Sequence, residues 1–271
     1  MVLDFYKYHG AGNDFIVVDA RFKDINLDKS QINLLCDRRF GIGADGLMYL
    51  LSSDLYDFKM RYFNSDGLEG SMCGNGGRCI VEFANSLGIQ KTNYLFEAVD
   101  GLHEAAKIGN LIRLKMNDVS QIETINNTCF LNTGSPHVVK IIEQLDLFEV
   151  ATEGTKLRHA SDYGTEGTNV NFIRIIENQI EIRTFERGVE AETWACGTGA
   201  VASAIAAHFE NPKYQEFYLK ALGGHLKVNF DFSEGIYKNV WLEGLLSKFL
   251  KAKSRSNHEK LKKHLVFNRF Y

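Results

Sequence analysis

Proline is nearly missing. Two residues in 271 leave no Pro-rich linker to mark a boundary. Cysteine is sparse and odd in number, with five residues at positions 36, 73, 79, 129 and 196. That count in a long chain does not suit a disulfide framework. Cys73 and Cys79 have five residues between them and no CxxC or His-x-His beside them, so a structural zinc site is not expected. No run approaches the ~18 apolar residues of a membrane span. The formal net charge is only −3, which gives no basic bias toward nucleic acid. The first residues, Met1-Val2-Leu3-Asp4-Phe5-Tyr6-Lys7, lack the basic segment and apolar run of a secretory signal. A soluble cytoplasmic protein, with no membrane or nucleic-acid partner, is the expectation.

What is present is a duplicated motif. Met72-Cys73-Gly74-Asn75-Gly76-Gly77-Arg78-Cys79 stands in the first half, and Ala195-Cys196-Gly197-Thr198-Gly199-Ala200-Val201 in the second. Both read C-G-x-G and both run into an apolar stretch at helical spacing. The two cysteines are 123 positions apart. The flanking blocks repeat in the same order. His9-Gly10-Ala11-Gly12-Asn13-Asp14-Phe15 before Ile16–Asp19 is echoed by Asn132-Thr133-Gly134-Ser135-Pro136-His137 before Val138-Val139. Gly41–Gly46 before a strand at Leu47–Leu51 is echoed by Gly164–Asn169 before a strand at Val170–Ile175. This is an internal duplication with the period of one domain, not a solenoid.

The predicted elements follow that order. Strands are expected at Asp4–Tyr8, Ile16–Asp19, Phe58–Phe63, Tyr94–Val99, Leu111–Met116 and Ile180–Phe185. A helix is expected over Asp28–Arg38, capped by Asp28 or Ser30, and a counterpart over Val139–Val150. The helix after Cys73 should stop at Gly88. The helix after Cys196 carries no charge through Val201-Ala202-Ser203-Ala204-Ile205-Ala206-Ala207, and a helix apolar all round is buried. The expected fold is α+β, with two pseudo-symmetric domains, each a mostly antiparallel sheet wrapped around a central buried helix. The boundary is placed at Asn117-Asp118, giving domains over 1–118 and 119–250. A basic stretch follows over 251–271, with seven Lys or Arg and one Glu. A solvated helix or disordered tail is the expectation there, with a partner-binding tail the sharper alternative.

A cysteine at a helix entry is chemically special. The first N–H groups of a helix have no intrahelical acceptor and the dipole is positive there, which favours thiolate. Those N–H groups also hold a carboxylate. Two such ends aimed at one point across a cleft would form an anion site with two reactive sulfurs. One thiolate would remove an α-proton and the other thiol would return a proton to the opposite face. Two bases of one type suit a racemase or epimerase, which must run in either hand. Cys36, Cys79 and Cys129 lack the glycine context and are expected to be packing residues.

Six blocks carry a family resemblance: His9–Phe15, Asn64-Ser65-Asp66-Gly67, Met72–Cys79, Gly134-Ser135-Pro136-His137, Glu186-Arg187-Gly188 and Ala195–Gly199. In their order and spacing the chain resembles diaminopimelate epimerases over roughly residues 1 to 245. The resemblance implies an isomerase that interconverts LL- and meso-2,6-diaminopimelate without pyridoxal phosphate or metal, for lysine and peptidoglycan precursors. It commonly implies a homodimer. It implies Cys73 and Cys196 as the acid/base pair, with His137 and Glu186 supporting catalysis. Asn13, Asn64, Asn169, Glu186 and Arg187 match substrate-binding positions. Gly74, Asn75, Gly197 and Thr198 match backbone donors to the reacting α-carboxylate. An Arg187 fork suits a distal carboxylate.

The chain also departs from the family. Ser135 and Gly46 stand where some members have Asn and Gln. Glu190-Ala191-Glu192 lengthens the stretch before Cys196 by one residue. No closing strand is recognisable after Trp241-Leu242-Glu243-Gly244. Two rivals stay open. Proline racemases and hydroxyproline epimerases also use two cysteines, but have His where this chain has Asn75. A non-catalytic binding module that kept the cleft is the second.

Overall fold

The computed structural model of the chain describes residues 2–255. They fall into two compact units, one formed by 2–112 with 246–255 and the other by Arg113–Leu245. Among the described residues no helix is long and apolar enough to cross a membrane.

The first unit opens with β1 (Val2–Gly10) and β2 (Asn13–Asp19), followed by α1 (Lys29–Cys36), β3 (Gly46–Leu51), β4 (Phe58–Asn64) and β5 (Glu69–Gly70). Then come α2 (Gly74–Ser86), β6 (Asn93–Ala98), β7 (Gly101–Ile108) and β8 (Leu111–Lys115), the last spanning the unit boundary. The second unit continues with β9 (Ile122–Ile125), β10 (Thr128–Asn132), β11 (Pro136–Ile141), α3 (Val150–Arg158), β12 (Asn169–Ile176), β13 (Gln179–Glu186) and β14 (Ala191–Thr193). It ends with α4 (Gly197–Glu210), β15 (Glu216–Ala221), β16 (Gly224–Ser233) and the first half of β17 (Ile236–Arg255), which passes into the first unit after Leu245.

Strand pairing repeats between the units. In the first, β1–β2 is antiparallel, β2–β3 parallel, β3–β4 and β4–β5 antiparallel, β4–β6 parallel and β6–β7 antiparallel. In the second, β10–β11, β11–β12, β12–β13, β13–β14, β13–β15 and β15–β16 follow the same series of senses. Each parallel pair is joined through a helix, because a hairpin cannot connect parallel neighbours. The two pseudo-symmetric α+β units foreseen from the duplication are present, each mostly antiparallel.

The cysteine-led helices are buried within their units. In α2, Cys79, Ile80, Val81, Phe83 and Ala84 have no exposed surface, and in α4 the same holds for Ala200, Val201, Ala202, Ala204 and Ile205. Apolar burial of this kind contributes about 25 cal/mol per Å². Helix α2 stops as the sequence indicated. Gly88 has φ +96, and the N–H groups of Gly88 and Ile89 donate to Asn85 O and Ala84 O, both at 3.1 Å. Asp28 caps α1 in a reciprocal box with Gln31, each backbone N–H donating 2.9 Å to the other side chain.

Two expectations need correction. The helix placed over Val139–Val150 is not there. Val138 and Val139 are buried in β11, Leu145–Leu147 makes a single 3-10 turn, and α3 begins at Val150. Leu145 is buried while Leu147 is 82% exposed, so the segment has no common apolar face. The real helix was hidden by Gly154, a weak helix former retained because a Cβ there would lie 2.6 Å from Phe185. The second correction concerns the end of the chain. The backbone of β17 runs on through Lys251–Arg255 as a strand and pairs antiparallel with β1, from Gly10↔Leu246 to Val2↔Arg255. Backbone pairing with a waiting strand overrides the basic composition. The rest of the expected tail, 256–271, lies outside the described residues.

The pairing makes a prediction. Removing residues 246–271 strips β1 of one of its two neighbours, and at about 1 kcal/mol per backbone bond several kcal/mol are lost. The melting temperature should fall by at least about 5 °C. Calorimetry that finds it unchanged would mean that β17 adds nothing to the first unit.

Candidate active site

Each C-G-x-G motif forms the same local device. Cys73 and Cys196 have extended backbone, with φ −98 and −117, and each is the N-cap of its helix. The first intrahelical bonds are Gly77 N–H to Cys73 O at 2.8 Å and Ala200 N–H to Cys196 O at 2.9 Å. The N–H groups of Gly74, Asn75, Gly197 and Thr198 precede those bonds, as backbone donors to an anion would. The second glycine of each motif answers to space. A Cβ on Gly76 would lie 3.1 Å from Cys73 Sγ, and one on Gly199 would lie 2.4 Å from Asn171 Oδ1.

In the first unit, Cys73 Sγ accepts from Gly76 N–H at 3.2 Å and lies 3.9 Å from Asn13 Oδ1. Asn13 opens β2, and its Nδ2 donates to Asp45 Oδ2 at 2.6 Å. Asp45 thereby turns the carbonyl end of Asn13 toward the sulfur. Asp45 also accepts from Asp14 N–H at 3.0 Å and Arg38 Nη2 at 2.6 Å. Lys7 and Arg38 both donate to Asp14. Burial would raise the Asp14 carboxyl, but these hydrogen bonds outweigh it and hold the group well below the usual range. Asn64 ends β4, exposed, at a turn closed by Gly67 N–H to Asn64 O at 2.9 Å. Gly67 is required there: φ is +83, and a Cβ would lie 2.3 Å from Lys29 O. At Gly46 the space for a side chain is filled by the Tyr62 ring, 2.4 Å from a built Cβ.

In the second unit, a buried polar chain leads to Cys196. Asn171 Nδ2 donates to Val138 O at 3.2 Å, and Asn171 Oδ1 accepts from Thr184 at 3.0 Å. These partners fix the carboxamide, so its NH2 is also what meets His137 Nδ1 at 3.0 Å. Nδ1 is therefore an acceptor and the ring proton is on Nε2. Nε2 lies 2.9 Å from Thr198 Oγ1 and 3.0 Å from Ser135 Oγ, and Thr198 Oγ1 lies 3.3 Å from Cys196 Sγ. Complete burial, with a further push from the Arg187 charge, lowers His137 to about 3. The imidazole is a neutral donor.

Asn169 opens β12. Its Nδ2 donates to Pro136 O at 3.0 Å and its Oδ1 accepts from Arg187 N–H at 2.9 Å. Glu186 ends β13, half-buried, next to half-buried Arg187. The two glutamates of the longer segment both serve structure. Glu190 pairs with Arg158 at 3.0 Å, and Glu192 holds Arg183 through two bonds of 2.7 and 2.8 Å. Burial pushes the thiols of Cys36 and Cys129 up to about 12 and that of Cys79 higher still.

Thus Cys73 and Asn13 meet in one unit. His137, Thr198, Cys196, Asn169 and the Arg187 backbone are linked in the other. Sequence reasoning missed Asp45, Arg78 and Asn171. For Asn171 a signal existed: strand alternation puts it on the same face as Asn169. For Asp45 only a flanking glycine turn was visible.

Solved structures share this fold. A phenazine biosynthesis protein of the PhzF family from Bacillus anthracis superposes with a TM-score of 0.75 at 14% identity, covering 94% of this chain and all of that one. A hydroxyproline epimerase from Agrobacterium vitis gives 0.65 at 13% identity, covering 93% and 92%. The duplicated α+β unit with a buried central helix is thus a fold that these two proteins share. The model of the family described as diaminopimelate epimerase matches residues 5–119 and 129–238, and the chain belongs to that family. Curated diaminopimelate epimerases are similar along most of their length. The Flavobacterium psychrophilum protein is 46% identical over 88% of this chain and 95% of its own, and the Chlorobaculum tepidum protein 48% over 72% and 80%.

Two predictions follow from the second unit. Below about pH 6.5 an unfolded histidine takes up a proton that His137 refuses until about pH 3, so its burial makes folded stability fall with acid. His137→Gln should show a shallower loss of melting temperature between pH 6.5 and 5 than the parent. Equal slopes would show that His137 is not the group responsible. Gly199→Ala would press a methyl onto Asn171 and should cost about 1–3 kcal/mol in denaturant titration, with a drop in kcat. A neutral effect on both would mean that the Asn171 contact is not needed.

Proposed function

We propose that this protein is a diaminopimelate epimerase that works without an added cofactor, inverting the α-carbon of LL- or meso-diaminopimelate. The observation that carries this reading is the pair of cysteine-capped helices in a chain of this family. A carboxylate beside the reacting carbon would sit on the N–H groups of Gly74, Asn75, Gly197 and Thr198. Negative charge that develops as the α-proton leaves would be met by those donors. One thiolate takes the proton and the other thiol gives one to the opposite face, so the stereocentre inverts and the protonation states exchange. The reverse direction uses the same groups with their roles swapped.

The neutral His137 suits this cycle. Its Nε2–H donates to Thr198, whose hydroxyl can donate on to Cys196. That chain would support the sulfur when it is anionic and release it when it is protonated. Asn13 and Asn64 in one unit and Asn169, Glu186 and Arg187 in the other are the proposed substrate contacts. Arg187 is the candidate for the distal carboxylate, which a proline-type substrate lacks. Asn75 accepts 2.6 Å from Arg78, so it is a fixed amide in the position where proline racemases have His. The substrate is a small molecule. A homodimer and a cytoplasmic location are further parts of the proposal, supported by the family resemblance.

Incubation with LL-diaminopimelate in D2O, with no added cofactor, should give the meso isomer with deuterium at the inverted carbon. Cys73→Ala and Cys196→Ala should each lower kcat by at least about 10³-fold. Near-parental epimerisation by either variant would sink the two-thiol mechanism, and absence of deuterium incorporation in the parent would favour a binding module.

A further inference from the structure

Arg78 lies on the helix that Cys73 caps, and none of its surface is exposed. Its guanidinium folds back over the first turn of α2. Nε donates to Gly74 O at 3.1 Å and Nη2 to Asn75 Oδ1 at 2.6 Å. Nη1 is buried with no hydrogen-bond acceptor. Among the described residues Arg78 has no carboxylate partner; the acidic groups that act on it are the thiols of Cys79 and Cys73. A guanidinium cannot shed its proton as a lysine can, so this is a permanent cation held out of water. Such a cation costs heavily unless an anion is close.

We propose that Arg78 is a positioning residue for the reaction: its guanidinium is the buried counter-charge of the Cys73 thiolate and fixes the Asn75 carboxamide in the same turn. This rests on the reading of Cys73 as a proton-transfer thiol. Of the two sulfurs that act on Arg78, Cys79 is fully buried and its thiol stays protonated. Cys73 is half-buried, at the helix end where the N–H groups also favour an anion. A charge placed under the first turn reaches that sulfur through protein rather than water, where screening is weak. Fixing Asn75 has a second effect. Its side chain is held in the turn whose backbone donors would take the substrate carboxylate. The C-G-N-G-G-R spacing follows, because Arg78 is the position whose side chain returns to Gly74, one turn earlier.

The test is the pH dependence of carbamidomethylation by iodoacetamide, followed for each cysteine by mass spectrometry in the full chain. In the parent, the Cys73 midpoint should lie below the ordinary thiol value of about 8.5. Arg78→Met should raise it by about one unit, making alkylation at neutral pH about tenfold slower, while the Cys196 midpoint moves by less than about 0.3 unit. Arg78→Lys keeps the charge but not the fork. It should leave the Cys73 midpoint within about 0.5 unit and raise KM more than it lowers kcat. A Cys73 midpoint at or above 8.5 in the parent overturns the proposal, as does an unmoved midpoint in folded Arg78→Met. Should Arg78→Met fail to fold, the parent midpoint and Arg78→Lys decide alone. Alkylation needs no substrate, so a protein that fails to epimerise diaminopimelate would refute the proposed function without touching this result.

Discussion

Everything near the two cysteines depends on how closely the start of each helix can approach what lies beside it. The second glycine of each C-G-x-G leaves out a side chain where space is short. At Gly199 the missing atom would fall on Asn171, and at Gly76 it would press on Cys73 and Met48, which would have to give by a few tenths of an ångström. Interiors at this density leave few alternatives, so the helix start, the sulfur and the neighbouring strand are fixed together. From that constraint come the cap geometry of Cys73 and the alignment of Thr198 with His137. The polar residues then need only short bonds to complete each half.

Though built on one plan, the halves use different physics. Near Cys73 the structure supplies ionic groups: Asp45 orienting Asn13, the Lys7–Asp14–Arg38 network behind it, and the buried cation of Arg78. Near Cys196 it supplies neutral dipoles, running from Asn171 through His137 and Thr198. A duplicated scaffold has thus diverged in side-chain chemistry while keeping its strand pairing. Asn75 opposite Thr198 already displays this in the motif itself, since one is held by a guanidinium and the other by an imidazole.

Much of this was legible in the amino-acid order, for identifiable reasons. Period-two alternation and glycine turns located β1, β2, β3, β4, β12 and β13 closely, and Gly88 marked the end of α2. The repeated motif located both helix entries. Four features were not legible. Helix α3 carries a glycine that Phe185 requires, a tertiary reason invisible to local propensity. The last residues of β17 are basic and read as a tail, yet their backbone pairs with β1. Arg78 sits in a motif that was recognised, but a charged residue on a buried helix face shows its role only when its partners are seen. Asp45 was hidden in the same way, inside a glycine-rich turn.

The pairing of Phe5 with Ala252 also bears on the order in which the chain can fold. The second unit is a continuous stretch, Arg113–Leu245, and every partner it needs is at hand once that stretch has emerged from the ribosome. The first unit begins earlier but keeps β1 short of one neighbour until residues 246–255 have been made. During synthesis that strand therefore presents an open edge, and open edges invite pairing with other chains. The half that is translated first is the one that closes last.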